Sequence, residues 1–413
     1  MNLEKIIYRG KQKMRIGILG YGTVGSGLIE LLDNNKSKRN IEISAILVRD
    51  KEKYENEKYL NKITENIEDV FNKNIDILVE LMGGLNPSLD YIKRALNNKI
   101  HVVTANKDLI AEHGEELIKI ANENDVSIKF EASVAGGIPV LKPLIESLEG
   151  NKIDSINSIL NGTTNFILSK MYDANLSYDE ALKQAQELGF AEANPDSDVL
   201  GYDAARKLSI LSTLAYDNRI YWKDLYLEGI TNIDEKDIDY AKQLNCKIKL
   251  VGQSKYNRGR VSGFVRPVLV DNESILAKVD NEFNAVIVNG DSVGEVSFVG
   301  KGAGKLATGS AVYGDILDIL DNRNSSINSF TKDKIQVEKI VKNKCSALLR
   351  FECYKKKEVL DIMGECSESY DILNEGDELA IMVHANSEYE INNSICVIKD
   401  FGYCQNISKL LKI

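Results

Sequence analysis

The sequence predicts an α/β protein with a doubly wound parallel sheet first, an α+β domain next and a small βαββαβ domain last. Three observations support this. Short, almost wholly apolar runs alternate with helical stretches up to about residue 138, the pattern of a parallel sheet covered by helices. The later strand candidates alternate apolar and polar residues. A polar, Ser- and Asn-rich segment then separates a last unit with its own pattern.

The first part contains five strands and three helices in alternation. The predicted strands are Met14–Leu19, Ile41–Val48, Ile75–Leu81, Ile100–Thr104 and Val126–Glu131, and the helices are Gly22–Leu32, Pro87–Leu96 and Asp108–Asn122. The proline of the second helix falls in its first turn, where a missing N–H costs little. This order predicts a parallel sheet with helices on both faces.

The second and third parts mix strands and helices differently. The second has strands at Ile153–Leu160, Arg260–Val270 and Gly294–Val299, with helices at Tyr178–Leu188, Gly201–Tyr216, Glu235–Asn245 and Ser310–Leu320. We expect a one-sided, mainly antiparallel sheet there. The third reads strand Ser346–Tyr354, helix Lys357–Cys366, strands Tyr370–Leu373 and Glu378–Ala385, helix Ser387–Asp400 and strand Ile407–Ile413. That order is typical of a ferredoxin-like fold.

Composition excludes several classes of function. The chain of 413 residues has a net charge of -10, which argues against nucleic acid or an anionic membrane as a partner. Met1–Lys13 lacks the apolar core of a signal peptide, and no apolar run approaches the ~18 residues of a membrane helix. We therefore expect a soluble cytoplasmic protein. Its six cysteines form no CxxC pair, so we expect reduced thiols and no zinc site.

A glycine-rich turn follows the first strand. Gly20-Tyr21-Gly22-Thr23-Val24-Gly25 is a GxGxxG sequence between a strand and a helix. In that setting the glycines allow a tight turn, close approach of the backbone to a pyrophosphate, and close packing of helix and strand. The free N–H groups at the helix start favour phosphate. The first domain is therefore predicted to bind a dinucleotide.

The second strand ends with an arginine and an acid. An acid there suits the ribose of NAD, and an arginine can pair with the 2′-phosphate of NADP. Arg49 and Asp50 are adjacent, so the preference stays open, with a lean towards NADP from Arg49. Arg49 as an ordinary solvated charge is the alternative.

Lysines and carboxylates are the candidates for proton transfer. Cys246, predicted to lie in an amphipathic helix, has no histidine near it in sequence to activate it as a nucleophile. Lys107 follows the strand that ends at Thr104, where open α/β sheets bind ligands, although it could be a first-turn surface lysine. Asp203 and Lys207 are four residues apart on a predicted helix, so they share a face. Spacing alone favours an ordinary surface ion pair there.

Over residues 14–320 the sequence resembles the homoserine dehydrogenases. The resemblance rests on segments that occur in order: the GxGxxG turn, Met82-Gly83-Gly84, Thr104–Lys107, Glu131–Pro139, Asn161–Phe166, the acidic segment from Glu192, Asp203–Lys207, and Gly302-Ala303-Gly304 with Thr308. It implies an NAD(P)-dependent oxidoreductase that interconverts L-homoserine and L-aspartate 4-semialdehyde in threonine, methionine and isoleucine biosynthesis.

The same resemblance implies residue roles. Lys207 matches the proton donor and acceptor, Lys107 assists at the nicotinamide and substrate, and Glu192 and Asp203 bind substrate. Gly189 and Gly304 match positions that line the cofactor and substrate cleft. A monovalent cation, Na or K, is implied near the interdomain hinge. Its ligands match Glu131, Val134, Gly136 and Ile138, although Glu131 alone could equally cap a helix or form a salt bridge.

The domain boundaries and assembly follow from these assignments. We predict an NAD(P)-binding domain at 1–138 to which helix 305–320 returns, a substrate-binding and dimerisation domain at 139–304, a linker at 321–334 and a third domain at 335–413. The third resembles ACT regulatory domains, but its first turn, Tyr354–Glu358, lacks the glycine of the amino-acid site, so oligomer contact is an alternative role. We expect a homodimer or homotetramer.

Two other functions remain open from the residues. One is another amino-acid dehydrogenase on the same architecture. The other is a non-catalytic protein that senses NAD(P), for which the ACT-like region is the main argument.

Overall fold

The computed structural model describes residues 13–34, 39–55, 57–322, 330, 332–340 and 342–413. Most of the predicted linker at 321–334 and of the segment Met1–Lys13 lies outside these residues.

The first elements run from Met14 to Lys129. They are β1 (Met14–Leu19), α1 (Thr23–Asn34), β2 (Ile41–Leu47), β3 (Ile63–Thr64), α2 (Ile67–Phe71), β4 (Ile77–Glu80), α3 (Ser88–Asn97), β5 (His101–Thr104), α4 (Lys107–Glu123) and β6 (Ile128–Lys129). The next run from Ile153 to Lys301. They are β7 (Ile153–Ile159), α5 (Gly162–Ala174), α6 (Tyr178–Glu187), α7 (Asp196–Val199), α8 (Tyr202–Tyr216), β8 (Tyr226–Leu227), α9 (Glu235–Gln243), β9 (Cys246–Asn257), β10 (Arg260–Asp271), β11 (Phe283–Gly290) and β12 (Gly294–Lys301).

The remaining elements complete the chain. They are α10 (Lys305–Leu320), β13 (Val337–Glu338), β14 (Cys345–Cys353), α11 (Lys356–Cys366), β15 (Ser369–Asn374), β16 (Leu379–Ala385), α12 (Glu388–Asp400) and β17 (Cys404–Lys412). The chain divides into two compact units. The first comprises residues 1–153, 206–222 and 289–335, and the second comprises 154–205, 223–288 and 336–413.

The first unit contains the predicted doubly wound sheet. Its six strands are all parallel and are ordered β3-β2-β1-β4-β5-β6. This is the order of dinucleotide-binding domains, with the change of direction between β1 and β4. The interior of the sheet is mainly apolar, with Ile16, Ile77 and Val103 fully buried. The predicted parallel sheet is confirmed.

The late helix α10 belongs to the same unit. It packs against α1, and its Val312 and Ile316 join the apolar cluster of the sheet. The helix runs from Lys305 to Leu320, which is the range predicted for the returning helix, and it begins five residues before the apolar stretch Ser310–Leu320. Gly304 occupies the N-cap position, and Thr308 and Gly309 lie within the helix.

The second unit has a mixed sheet centred on the long strand β10. Its order is β11-β7-β9-β10-β17-β14-β16-β15. One edge of β10 pairs with β9 in antiparallel fashion over its whole length, and the other pairs in parallel with β8, β13 and β17. The sheet is mainly antiparallel as predicted. We expected only one face of this sheet to be buried, which is wrong for β9 and β10, because residues on both faces of these strands are buried almost continuously. Helix α5 packs against β9.

Residues 345–412 show the predicted βαββαβ order, with the strands arranged β17-β14-β16-β15 and paired antiparallel throughout. This is the ferredoxin-like arrangement. The region does not stand apart, because β17 pairs with β10 and shares a single apolar cluster with it. The resemblance to ACT domains in particular stays a prediction.

Cys246 lies at the start of β9, so its predicted helical location is wrong. Helix α9 ends earlier, at Gln243, and Cys246 begins a strand paired with Asp271. Burial raises the pKa of the thiol, which donates a hydrogen bond to the Leu244 carbonyl. Such a thiol is a structural residue.

Candidate active site

The glycine turn after β1 has the geometry that a dinucleotide site requires. Gly20 has a φ of +103°, and a Cβ there would lie 2.8 Å from the Leu81 carbonyl oxygen. A Cβ on Gly25 would lie 2.3 Å from the Gly20 oxygen, whereas one on Gly22 would meet nothing within 4 Å. The turn is therefore closed towards the sheet and open at Gly22. Helix α1 begins at Thr23 and directs its first N–H groups to the open side.

A cleft of about 570 Å³ lies at this turn. It opens at the carboxyl ends of β1, β2 and β4, where doubly wound sheets bind ligands. Its walls include Gly20–Gly22, Leu47–Asp50, Lys53, Tyr54, Leu81–Gly83, Asn86 and Tyr91. The residues therefore fit a dinucleotide.

The end of β2 distinguishes the two candidate specificity residues. The Asp50 carboxylate accepts a hydrogen bond from the Glu52 N–H at 3.1 Å and lies 3.4 Å from the Lys53 ammonium. Arg49 is exposed on the cleft wall. Asp50 is thus engaged as a cap, while Arg49 and Lys53 give this end of the cleft positive charge.

Tyr21 of the glycine turn is fixed by local contacts. Its ring stacks on Tyr54 with centroids 5.0 Å apart, and the Tyr54 hydroxyl donates to the Tyr21 carbonyl. The Tyr21 hydroxyl donates to Glu57 at 3.0 Å. Burial and the neighbouring Glu57 carboxylate raise the pKa of Tyr21. Tyr21 is thereby held as a neutral wall of the cleft.

Lys107 is the first residue of α4, directly beyond the end of β5. Asn106 caps the helix, accepting a hydrogen bond from the Leu109 N–H at 3.1 Å, and its Nδ2 donates to the Gly84 carbonyl at 2.6 Å. Lys107 itself is half-buried. This places the lysine at the carboxyl edge of the sheet, in the same unit as the dinucleotide cleft.

Lys207 lies on α8 in the part that belongs to the first unit. Its neighbour Arg206 places Nε 3.1 Å from the Asp108 carboxylate, and the guanidinium lies over the Trp222 ring at 4.6 Å. This ion pair joins the residue before Lys207 to the residue after Lys107. The structure therefore brings the segments of the two predicted lysines together.

Asp203 lies one turn before Lys207 on α8 and is buried. The Asn161 Nδ2 donates to Asp203 at 2.9 Å and to Asp198 at 2.7 Å. Asn161 follows β7 and caps α5 by accepting a hydrogen bond from the Thr164 N–H. Asn161 and Asp198 were not among the predicted site residues. Their position in the Asn161–Phe166 and acidic segments was the available signal.

Glu192 is exposed on the loop that follows α6. Gly189 ends that helix with a φ of +76°, and the loop is fastened to α5 by a hydrogen bond from the Thr163 hydroxyl to the Phe190 carbonyl. Glu192, Gly189 and the Asn161–Asp203 cluster are all in the second unit. Gly304 is the residue before α10, in the first unit, with a φ of +133°.

The predicted cation ligands lie around a tight turn in the first unit. The Glu131 carboxylate accepts hydrogen bonds from the backbone N–H groups of Val140, Leu141 and Lys142 at 2.6–2.8 Å, which is the capping role that the sequence left open. Burial raises the pKa of Glu131. A carboxylate has about four acceptor positions, so three N–H groups leave one for another partner.

The carbonyl-bearing part of this turn is unusual in its backbone. Ala135 and Gly136 both have positive φ, and the Gly137 N–H donates to the Lys301 carbonyl. Val134 and Ile138 flank them. Backbone carbonyls and one carboxylate are hard donors, the class that suits Na⁺ or K⁺. Among the described residues, no group of three or more His, Cys, Asp or Glu side chains is arranged to hold a metal ion.

A doubly wound unit with this turn, and lysines at its carboxyl edge, defines the class of nicotinamide-dependent oxidoreductases. Two family models match the chain, the NAD-binding domain of homoserine dehydrogenase over residues 20–131 and homoserine dehydrogenase over residues 139–317. The chain belongs to the homoserine dehydrogenase family. It is an NAD(P)-dependent oxidoreductase.

Individual relatives match this chain over three quarters of its length or more. Homoserine dehydrogenase of Bacillus subtilis is 37% identical over 429 residues, covering 97% of this chain and 98% of the relative. The structure of the Thiobacillus denitrificans enzyme superposes with a TM-score of 0.89 at 33% identity, covering 97% and 98%. A hyperthermophilic archaeal homoserine dehydrogenase in complex with NADPH has a TM-score of 0.65 at 29% identity, covering 76% of this chain and 100% of the other.

No helix in the described part of the chain has the length and apolar character to cross a membrane.

Proposed function

We propose that the chain interconverts L-homoserine and L-aspartate 4-semialdehyde, with Lys207 and Lys107 acting on the reacting oxygen. The Arg206–Asp108 ion pair is the observation that carries the proposal, because it joins the segments of both lysines at the carboxyl edge of the sheet. The names of the similar proteins support the substrate. NAD(P), when bound, supplies the hydride chemistry.

In this proposal the chain's own residues move the proton and hold the substrate. Lys207 gives a proton to the carbonyl oxygen during reduction and takes the hydroxyl proton during oxidation. Lys107 adds positive charge beside the developing alkoxide. Asp203 and Glu192 bind the substrate ammonium, for which charge-assisted hydrogen bonds are suited.

For the cofactor we propose a preference for NADP over NAD. Arg49 and Lys53 offer positive charge where a 2′-phosphate would lie, while Asp50 is engaged with the Glu52 N–H and Lys53. The glycine positions Gly20–Gly25 and the start of α1 would hold the pyrophosphate. The NADPH complex of the archaeal relative supports the same preference.

We also propose a monovalent cation at Glu131, Val134, Gly136 and Ile138. The remaining acceptor position of Glu131 and the hard oxygen donors of the turn support it. Its role would be to order the turn. Thermal unfolding in KCl, NaCl and tetramethylammonium chloride at equal ionic strength tests this, since a bound cation raises the midpoint and Glu131→Gln removes that rise.

Further proposals concern the assembly of the protein, its location and the role of its last region. We propose a homodimer or homotetramer in the cytoplasm, with all six cysteines reduced. The residues 335–413 would serve regulation or subunit contact. Mass measurement in solution, with and without threonine, tests both parts.

The decisive experiment compares the wild type with Lys207→Ala by absorbance of the reduced nicotinamide. Each is given L-homoserine with NAD⁺ or NADP⁺, and L-serine and L-aspartate as controls. We expect homoserine-dependent reduction that falls about 10²- to 10⁴-fold in the variant, the usual contribution of a general acid or base. Lys119→Ala, an exposed lysine of α4, is the matched control. Turnover of another amino acid in preference would indicate a different dehydrogenase, and cofactor binding without turnover a sensor.

A further inference from the structure

A buried carboxylate stands at the carboxyl end of β4. Glu80 is fully buried, and no lysine, arginine or histidine of the described residues pairs with it. Burying a charge is costly unless hydrogen bonds replace its water. Four donors do so here, which makes Glu80 the centre of a local network rather than half of an ion pair.

The two oxygens of Glu80 serve two different segments. Oε1 accepts hydrogen bonds from the Met82 and Gly83 N–H groups at 2.8 and 3.1 Å, and the Ser88 hydroxyl lies 3.2 Å from it. Oε2 accepts a hydrogen bond from the Thr104 hydroxyl at 2.6 Å. Met82 and Gly83 line the dinucleotide cleft, whereas Thr104 ends β5 just before Lys107.

The network continues from Thr104 to the start of α4. The Thr104 Oγ1 accepts the Asn106 N–H at 3.0 Å, and Asn106 both caps the helix that begins at Lys107 and donates to the Gly84 carbonyl. The Thr104 hydroxyl therefore donates its proton to Glu80 while its oxygen accepts the Asn106 N–H. The Glu80 charge thus fixes the direction of the Thr104 hydroxyl.

We propose that Glu80 is a positioning residue that sets the cofactor-binding segment Met82–Gly84 with one oxygen and the Lys107 segment with the other. The proposal rests on the proposed role of Lys107. The proposal predicts that loss of a partner of Oε1 affects cofactor binding, whereas loss of the partner of Oε2 affects the rate of the reaction. A residue that only stabilised the fold would not give two separate effects.

The test disturbs each oxygen through its partner. Thr104→Val keeps the size of the side chain and removes the donor to Oε2, so we expect kcat with homoserine to fall about 100-fold, the effect of a small misplacement of a catalytic group. The Kd for NADPH, measured by its fluorescence, should stay at the wild-type value. Thr104→Ser restores the hydroxyl and should recover most of kcat.

For the partners of Oε1 we expect a change in cofactor binding without a change in kcat. Ser88→Ala removes a donor to Oε1 and should raise the Kd for NADPH while leaving kcat at saturating cofactor close to the wild type. Glu80→Gln should change both quantities. Ser394→Ala, which removes another buried hydroxyl on α12, is the control for a general loss of stability and should change neither.

Measuring Lys107→Ala alongside these variants distinguishes a failure of the proposed role of Lys107 from a failure of the positioning role of Glu80. If Lys107→Ala keeps the wild-type kcat, the proposed role of Lys107 fails. If it loses activity while Thr104→Val does not, or if serine fails to restore activity to the valine variant, the positioning role of Glu80 is overturned. Should Thr104→Val not fold, the Ser88→Ala result decides alone, and an unchanged Kd for NADPH there overturns the proposal.

Discussion

At the scale of single residues, the site depends on groups that hold two carboxylates near each other. Asn161 donates to Asp198 and Asp203 through one amide nitrogen and caps α5 through its oxygen. The sequence could identify Asp203 and Lys207 because they are one helical turn apart. It could not predict the link from Asn161 to Asp203, because the two residues are 42 positions apart and no local pattern connects them.

Asn161→Asp should therefore alter the pH dependence of the reaction. Aspartate caps a helix about as well as asparagine, so α5 should persist, but a third carboxylate replaces a double donor. The added negative charge raises the pKa of Asp203, which must be ionised to bind the substrate ammonium. We expect the acidic limb of kcat/KM for homoserine to move to higher pH.

The matched control for this change is Asn66→Asp. Asn66 also caps a helix, α2, by accepting a hydrogen bond from the Glu68 N–H, and it is exposed. Its pH profile should equal that of the wild type. An unshifted acidic limb in a folded Asn161→Asp variant would show that the amide has no electrostatic role at Asp203.

At the scale of elements, strand β9 shows where sequence patterns fail. Lys247 and Lys249 alternate with apolar residues, which suggests a strand face in water or the end of a helix. Instead Lys249 is buried, and its ammonium donates to Asn165, the Val279 carbonyl and Asp280. Those acceptors come from segments distant in sequence, so the alternation alone could not show that the lysine is inside.

The same lysine should make stability depend on pH in the alkaline range. Burial lowers the pKa of Lys249 from 10.5 to about 8. Between these values the unfolded chain binds more protons than the folded one, so the free energy of unfolding rises with pH from about 8 to 10.5. The rise attributable to this group is at most about 3 kcal/mol. Below pH 8 the group is charged in both states and adds no slope.

Lys249→Met removes that contribution. Urea unfolding at several pH values should give a wild-type curve that climbs relative to the variant's across this window, while Lys119→Met, on the surface of α4, should run parallel to the wild type. Parallel curves for wild type and Lys249→Met would mean that the buried ammonium keeps an ordinary pKa.

At the scale of the whole chain, the order of elements in the first and last parts was predictable, whereas helix α5 and strands β9 and β11 of the middle part were missed. The pairing between distant strands was not predictable either. Most predicted strands and helices agree with the structure within a few residues because each has a clear period, as at β1 and α6. The parallel pairing of β10 with β17 joins residues more than a hundred positions apart, and no local pattern encodes it. The family models end at residue 317, yet residues 336–413 share a compact unit with 223–288.

A buried ion pair within the second unit connects these segments. Arg266 on β10 forms two hydrogen bonds with Glu388 at the start of α12, at 2.6 and 3.0 Å, and both side chains are 2% exposed. Lys409 on β17 also donates to Glu388. Since neither charge of the pair has access to water, removal of Glu388 leaves the Arg266 guanidinium desolvated and without this partner, whereas removal of Arg266 leaves Glu388 paired with Lys409.

Glu388→Gln should therefore lower the free energy of unfolding of the second unit by about 3 kcal/mol, since breaking a buried pair costs about 3–5 kcal/mol. Arg266→Met should cost less than this, because Lys409 still pairs with Glu388. Arg266→Met with Glu388→Leu should cost less than the sum of the two single changes, because the pair is then replaced by apolar groups. Urea unfolding provides the measurement. Glu368→Gln, which breaks the exposed pair with Lys344, should cost under about 1 kcal/mol. Equal losses in Glu388→Gln and Glu368→Gln would mean that this buried pair does not contribute to holding β10 and the C-terminal region together.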